Sequence, residues 1–465
     1  MNRRDFLIKL GIGASATTLA LAGCDSKKPQ ESAGSKSSRE VPADKMTYRI
    51  NSSTGDKVSL LGYGCMRWPM MPNPDGEGEI VDQDTVNRLV DYAIEHGVNY
   101  FDTAPPYIRG LSETATGIAL SRHPRDSYFI ATKMSNQSFA RDGLRGKELF
   151  DATVGMYRRS FKNLQTDYID YYLLHSIGGG DGVPFLKERF FDCGLIDFLL
   201  KERQEGRIRN LGFSYHGDVK AFDYLLSLHD KIHWDFVQIQ LNYVDYRHAS
   251  GANFNAEYLY DELEKRNIAA VVMEPLLGGR LATLNDHLNS RLKEREPEDS
   301  IASWAFRFSG TFPGVLTVLS GMTYMENLQD NIMTYSPLKP LNDEEMELLE
   351  DTAVKFVSLP TVPCNACDYC MPCPYGINIP AVFTHYNKCI NEGNAPSSNK
   401  DKNYEKARRA FLIGYDRSVP RLRQASHCIG CGQCLPECPQ TINIPSRLHQ
   451  IDKYVESLKQ GTLHA

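Results

Sequence analysis

The 465-residue sequence predicts an α/β chain in which a closed parallel barrel of eight strands is followed by a small, mainly α-helical, cysteine-rich domain. Three observations carry that expectation. Between residues 46 and 358, short runs rich in β-branched and aromatic residues alternate eight times with helically spaced stretches, as in repeated strand–helix units. Runs such as Tyr171-Tyr-Leu-Leu174 and Val271-Val-Met273 are apolar on consecutive positions, which suits strands covered on both faces. Eight of the twelve cysteines then crowd into two short stretches beyond residue 363. A (β/α)8 TIM barrel over residues 46–358 and a separate domain over 359–465 follow.

In chain order, residues 1–24 begin Arg3-Arg4-Asp-Phe6-Leu7-Ile-Lys9, continue through small and apolar residues, and end at Leu21-Ala-Gly-Cys24. That stretch is short for a membrane span and of targeting-segment length. Its twin arginine resembles a Tat export signal, and Leu-Ala-Gly-Cys resembles a bacterial lipobox. The resemblance implies export, cleavage before Cys24 and attachment to the membrane, at the periplasmic face or cell envelope, through a lipid on that sulfur. Residues 25–45 hold few large apolar side chains and are expected as a flexible tether. A hairpin over 44–58 should close the bottom of the barrel. Strands are expected at 60–66, 98–104, 128–133, 168–176, 209–215, 236–242, 269–276 and 315–321. Helical spacing marks 84–96, with Asp82 or Asp84 as cap, and 111–121, with Ser112 as cap. A helical stretch over 343–356 leads by a short connector into Cys364, so the last domain should pack on the barrel.

The net charge of −6 and a pI near 6.1 offer no basic surface for nucleic acid. A local basic excess at Arg408-Arg409 and Arg417–Arg423 reads either as a docking face for an acidic redox partner protein or as a solvated helix face.

The cysteine runs are Cys364-Asn-Ala-Cys367-Asp-Tyr-Cys370-Met-Pro-Cys373 and Cys428-Ile-Gly-Cys431-Gly-Gln-Cys434-Leu-Pro-Glu-Cys438. The second, with Pro439 after it, has the C-x2-C-x2-C-x3-C-P spacing by which bacterial ferredoxins hold [4Fe–4S] clusters. The first departs from it by one residue before Cys373. A disulfide framework suits small core-poor domains, and zinc sites use two separated pairs, so iron–sulfur chemistry is the reading preferred. Cys373-Pro-Tyr-Gly-Ile-Asn-Ile-Pro380 repeats as Cys438-Pro-Gln-Thr-Ile-Asn-Ile-Pro445, which predicts a pseudo-twofold, ferredoxin-like domain with two [4Fe–4S] clusters. Crossed ligation is expected, with Cys438 joining Cys364, Cys367 and Cys370, and Cys373 joining Cys428, Cys431 and Cys434. Cys65, Cys193 and Cys389 are expected as buried free thiols.

In a barrel of this kind, chemistry sits at the C-terminal strand ends. Those ends carry Asp102, Lys133 and His175, with Tyr107 five residues beyond Asp102. Each alone reads as a capping, solvated or core residue; together they converge on one mouth.

At these residues the chain resembles the aldo-keto reductase family, over the whole barrel. The matching motifs include Gly62-Tyr-Gly64, Phe101-Asp-Thr-Ala-Pro-Pro-Tyr107 with Ser112-Glu113, Thr132-Lys133, Asp170-Tyr-Tyr-Leu-Leu-His175, Gly206-Arg-Ile-Arg-Asn-Leu-Gly-Phe-Ser214, Gln238-Ile-Gln-Leu-Asn-Tyr243 and Pro275-Leu-Leu-Gly-Gly279. The resemblance implies hydride transfer between a nicotinamide cofactor, NAD(P)(H), and a small carbonyl or alcohol substrate. Tyr107 would be the general acid, Lys133 would lower its pKa, Asp102 would hold Lys133, and His175 would bind the carbonyl oxygen. It further implies that Ser214 and Gln238 hold the carboxamide, that Leu276 and Gly279 line the pyrophosphate, and that Ser320, Gly321, Met322 and Asn331 hold the adenosine half. Two departures stand out. Val272-Met273-Glu274 replaces the aromatic residue that stacks on nicotinamide, and Ser320–Asn331 has no basic residue for a 2′-phosphate, so NADP preference is not implied. An exported oxidoreductase of carbonyls, accompanied by two clusters, is the function expected. The alternatives are an electron-transfer subunit whose barrel has lost or changed its catalysis, and clusters that are purely structural.

Overall fold

The computed structural model describes residues 40–179, 182–251 and 253–463. The targeting and lipid expectations on residues 1–24, and most of the tether, lie outside the described residues. Met1–Glu40 and Val41–Ala465 are separate units, and the elements that follow belong to the second.

The expected hairpin comes first, as β1 (Tyr48–Ile50) antiparallel to β2 (Lys57–Ser59). After β3 (Leu61–Gly64), a second hairpin of β4 (Met70–Pro72) and β5 (Glu79–Val81) appears, which the sequence reading did not anticipate. Each of its strands has three residues, too few to show an alternating pattern. The remaining strands are β6 (Tyr100–Asp102), β7 (Phe129–Met134), β8 (Ile169–Ile177), β9 (Ile208–Tyr215), β10 (Phe236–Gln240), β11 (Ala269–Met273) and β12 (Val315–Ser320). All are parallel, and they close in the order β10-β11-β12-β3-β6-β7-β8-β9. Every barrel strand falls at an expected position.

Inside the barrel, Tyr100, Tyr171 and Phe236 pack edge to face at ring separations of 5.0 and 5.1 Å. Beneath them the first hairpin plugs the floor: Asn51 donates to the Tyr171 hydroxyl, which donates to Asp56. The helix Gln83–Glu95 is capped by Asp82, whose carboxylate accepts from the Thr85 amide at 3.0 Å. Ser112 does not cap. It is the first residue of the helix Ser112–Leu120, and its buried hydroxyl donates to the Cys65 carbonyl at 2.7 Å and meets Thr103 Oγ1 at 2.8 Å, tying the loops after β3 and β6 together. Cys65 and Cys389 are buried as expected, but Cys193 is only half-buried, at a helix end.

The C-terminal region is helical and has its own core. Helices Ile379–Asn391, Tyr404–Ser418 and Ile444–Gln460 enclose Val382, Phe383, Phe411, Ile451 and Val455. The repeat seen in the sequence is a repeated helix start: Asn378 and Asn443 accept from the Ala381 and Ser446 amides, each with proline in the first turn. The connecting helix, Asp343–Val357, starts with a capping box of Asn342 and Glu345. Its Glu345 also forms a buried pair with Arg307.

This region docks on the C-terminal mouth of the barrel. Arg67, after β3, donates to the Asn365 and Ala366 carbonyls at 2.9 and 3.3 Å. Arg141 reaches Glu437 and the Pro436 carbonyl, Asn253 reaches Gln440, and Arg280 reaches Thr361.

Candidate active site

Strand side chains alternate between faces, so residues two apart share a face. Tyr100, Ala131, Leu173 and Phe236 fill the barrel. Two residues further along the same rows stand Asp102, Lys133, His175 and Gln238, which therefore cap the apolar core with polar groups. Tyr107 joins them from the loop after β6, where Ile108 and Arg109 both take left-handed φ values of 50° and 53°. Two consecutive non-glycine residues in that region mark stored strain at the mouth.

Lys133 is buried, with Nζ 2.5 Å from Asp102 Oδ1 and 2.9 Å from the Thr103 carbonyl. The second Asp102 oxygen accepts from Gln238 Nε2 at 3.3 Å. Burial pushes the Asp102 carboxyl up and the Lys133 ammonium down, and each group opposes the other's shift. The Lys133 ammonium lies 5.0 Å from the Tyr107 ring centroid, over the ring face. Lys133 was expected to lower the Tyr107 pKa. Instead the phenol is held well above its ordinary value, by burial first, then by Tyr369, Asp102, Glu274 and Cys65. Burial is the largest cause of that rise, and the charge of Lys133 is balanced by Asp102 2.5 Å away. His175 has its ring 6.0 Å from that of Tyr107. Its Nδ1 meets Ser135 Oγ at 2.5 Å, and burial, then Lys133, keeps the imidazole neutral by lowering its pKa well below the ordinary value.

Beside these groups opens a cavity of about 420 Å³, lined by His175, Arg189 and His216 of the barrel and by Tyr369 and Cys438 of the cysteine runs. Arg189, from the helix Gly182–Phe190, is buried and donates to Asn136 Oδ1 at 3.0 Å and to the His175 carbonyl at 2.9 Å. Burial lowers its pKa to about 9. Sequence reading missed Ser135, Arg189, His216 and Tyr369, and named Glu274 only as a departure from the family pattern. Only Ser135 carried a signal, standing two residues beyond Lys133 on the same strand row.

The residues expected to hold a nicotinamide cofactor are already engaged. Ser214 and Gln238 are paired in register and buried; Ser214 Oγ accepts from the Ser176 amide at 2.9 Å, and Gln238 serves Asp102. Asn331 donates to Ser320 at 2.9 Å, and the Met322 carbonyl accepts from the Tyr63 hydroxyl at 2.5 Å. Gly278, between Leu276 and the open Gly279, is covered: a Cβ on it would lie 2.4 Å from Asn365 Cα. Gly321 is covered likewise, since a Cβ there would lie 3.2 Å from Arg67 Cδ. Where the nicotinamide-stacking residue was sought stands Glu274, against Arg67 and Asn365. The residues present do not fit a dinucleotide.

The cysteines group as crossed sets. Burial pushes the thiols of Cys364 and Cys367 up to about 11 and 12, and Cys438 is among the neighbours that add to both shifts. Cys370 is raised likewise by burial, then by Cys367, Cys364 and Cys438. Cys434 is pushed up to about 11 by burial, with Cys428, Cys431 and Cys373 as its neighbours. Among the described residues no group of three or more His, Cys, Asp or Glu is gathered for a single metal ion. A four-iron cluster takes one thiolate per iron and so calls for a wider set. Cys364, Cys367, Cys370 and Cys438 could hold one such cluster, and Cys373, Cys428, Cys431 and Cys434 another.

Residues 61–353 match the profile described as "Aldo/keto reductase family". The chain belongs to the aldo/keto reductase family. Among relatives of this aldo/keto reductase, L-galactose dehydrogenase of Arabidopsis thaliana is 27% identical over 332 residues, covering 67% of this chain and 94% of that protein. Protein tas of Escherichia coli is 33% identical over 207 residues, covering 40% of this chain and 55% of that protein. In structure, the holo form of aldo-keto reductase AKR11C1 from Bacillus halodurans aligns with a TM-score of 0.51 at 23% identity, over 66% of this chain and 96% of that one. An aldo/keto reductase from Klebsiella pneumoniae in complex with NADP and acetate aligns with a TM-score of 0.50 at 22% identity, over 66% and 95%. The family match stops at residue 353, so the cysteine-bearing region lies outside it.

Proposed function

We propose that this aldo/keto reductase is an exported, lipid-anchored oxidoreductase that reduces a carbonyl group of a small substrate to a hydroxyl, or re-oxidises that hydroxyl, at the mouth formed by Asp102, Tyr107, Lys133 and His175. The observation that carries the reading is the mutual contact of these four side chains at the strand ends, with His175 opening onto a cavity that also reaches Cys438.

His175 anchors the carbonyl oxygen. With Ser135 donating to Nδ1, the neutral ring carries its proton on Nε2 and offers it to the substrate. Tyr107 passes its phenolic proton to that oxygen as the carbonyl is reduced, and takes it back in the oxidative direction. Its raised pKa keeps the proton on until negative charge develops at the substrate oxygen. Lys133, held by Asp102, lies beneath the ring and stabilises the phenolate that remains. Arg189 fixes the backbone of His175 and so the direction of its ring.

Two [4Fe–4S] clusters, held by the crossed cysteine sets, would supply one-electron transfer. The second set lies nearer the surface: Cys431 is exposed, as are Leu422, Ile429 and Leu435 close to it in sequence. A small electron-carrier protein is the partner that would meet it. The N-terminal segment supports Tat export and a lipid on Cys24.

The test is iron and acid-labile sulfide analysis of anaerobically purified protein together with carbonyl reduction by the wild type and by Tyr107→Phe. About eight irons per chain and turnover lost by about 10²–10⁴-fold in the variant are expected. Equal turnover in Tyr107→Phe would refute the assignment.

A further inference from the structure

We infer that residues 364–369, the first cysteine loop, permanently occupy the place a dinucleotide would take, so that this chain receives its reducing equivalents as single electrons through its cysteine sets and never as hydride. The inference rests on the reading that Tyr107 protonates a carbonyl oxygen at this mouth.

The loop is built into the barrel rather than laid on it. Asn365 packs backbone to backbone against Gly278, whose φ of +69° and missing Cβ permit the approach. Arg67 straps residues 365 and 366 from the far side while its aliphatic stem covers Gly321. These contacts touch both stretches expected to hold the dinucleotide, the pyrophosphate stretch after β11 at Gly278 and the adenosine stretch after β12 at Gly321. Glu274 adds a carboxylate, bonded to Asn365 of the loop, where an aromatic residue would stack on nicotinamide. At the inner end of the same loop, Tyr369 lines the cavity and is the strongest of the neighbours acting on the Tyr107 phenol. Cys367 sits beside Glu274, and Cys438, of the same cysteine set, lines the cavity itself. The position that would have delivered hydride to a substrate near Tyr107 is therefore taken by a segment that can deliver electrons.

Electrons that arrive one at a time select the substrate. Without a hydride donor, no residue of the mouth is placed to form a carbon–hydrogen bond. The reaction that balances is one whose two protons both land on oxygen: a quinone-type carbonyl compound accepts two electrons and two protons and leaves as the hydroquinone. Both electrons reach it in turn through the set that includes Cys438, which lines the cavity. One proton comes from Tyr107 and is restored from solvent, and the other comes from solvent through the cavity. Two molecules of a reduced one-electron carrier protein are oxidised in the process.

The holoprotein, purified anaerobically with its iron, is titrated with NADH and NADPH by calorimetry. It is then reduced with dithionite and mixed with a water-soluble 1,4-benzoquinone while the iron–sulfur absorbance and electron paramagnetic resonance signal are followed. No saturable binding of either nucleotide is expected up to about 1 mM, the top of the usual KM range. Re-oxidation should consume one quinone per two electrons and slow by about 10²-fold or more in Tyr107→Phe. Saturable nucleotide binding would overturn the inference whatever the turnover. Reduced protein that the quinone fails to re-oxidise would overturn the electron route. Re-oxidation at full speed in Tyr107→Phe, with no nucleotide bound, would uphold the displaced dinucleotide and refute the role given to Tyr107.

Discussion

Lys133 and Tyr107 answer to different tests because one residue holds the site together and the other is the proposed proton donor. Replacing Lys133 by Met strands the Asp102 carboxylate in a dry environment with only Gln238 as donor. Breaking a buried pair in this way costs about 3–5 kcal/mol, and chemical denaturation should show that loss, with much of it regained when Asp102→Asn is added. Tyr107→Phe removes a hydroxyl from a half-buried ring and should leave the denaturation midpoint nearly unchanged. His216 supplies a pH test. Burial, then the charge of Lys133, lowers its pKa from 6.5 to about 4. The unfolded chain therefore binds a proton between those values that the folded chain refuses, so stability from this group is full above pH 6.5 and is lost as pH falls toward about 4. A scan of melting temperature against pH should show that descent, and His216→Gln should flatten it.

At the scale of elements, the barrel was legible because its strands are covered on both faces and its helices are amphipathic, so consecutive apolar runs alternate with a 3.6-residue period. The candidate row was legible for a related reason: Asp102, Lys133 and His175 are polar residues at the ends of apolar strands. Short elements lacked such a signal, as with the hairpin of β4 and β5. Side chains that matter only through long-range contact lacked it too: nothing around Glu274 or Tyr369 in sequence shows that the two meet across more than ninety residues. Ser112 misled because serine before a helical stretch reads as a cap, whereas burial between two loops gave its hydroxyl better partners. The repeated helix starts were visible as a pattern, and their physical content can be measured. Asn443→Ala removes the side-chain acceptor for the Ser446 amide and should cost about 1 kcal/mol, seen as a lower melting temperature with iron content retained.

For the molecule as a whole, the decisive feature is that the last cysteine of each run lies among the cysteines of the other, the grouping that the proposed crossed ligation needs. Cys438 closes the set that lies against the barrel mouth, while Cys373 closes the set nearer the surface. With the proposed clusters bound, exchange of this kind would fasten the loop 364–373 to the helix start at Asn443, and iron in either set would brace the same helical core. The two single substitutions should nevertheless differ. Cys438→Ser loosens the set formed with Cys364, Cys367 and Cys370, and with it the loop that carries Asn365 and Tyr369 over the mouth. Limited proteolysis should then cut within residues 364–373, and the Tyr107 region should exchange amide hydrogens faster. Cys373→Ser acts on the outer set, where Cys431 is already exposed, and should leave Arg67, Gly278 and Asn365 in contact. Its protection at the mouth should match the wild type while about half of the iron is lost. If the two variants opened the mouth equally, the runs would ligate without exchange, and the loop would be held on the barrel by Arg67 and Gly278 alone.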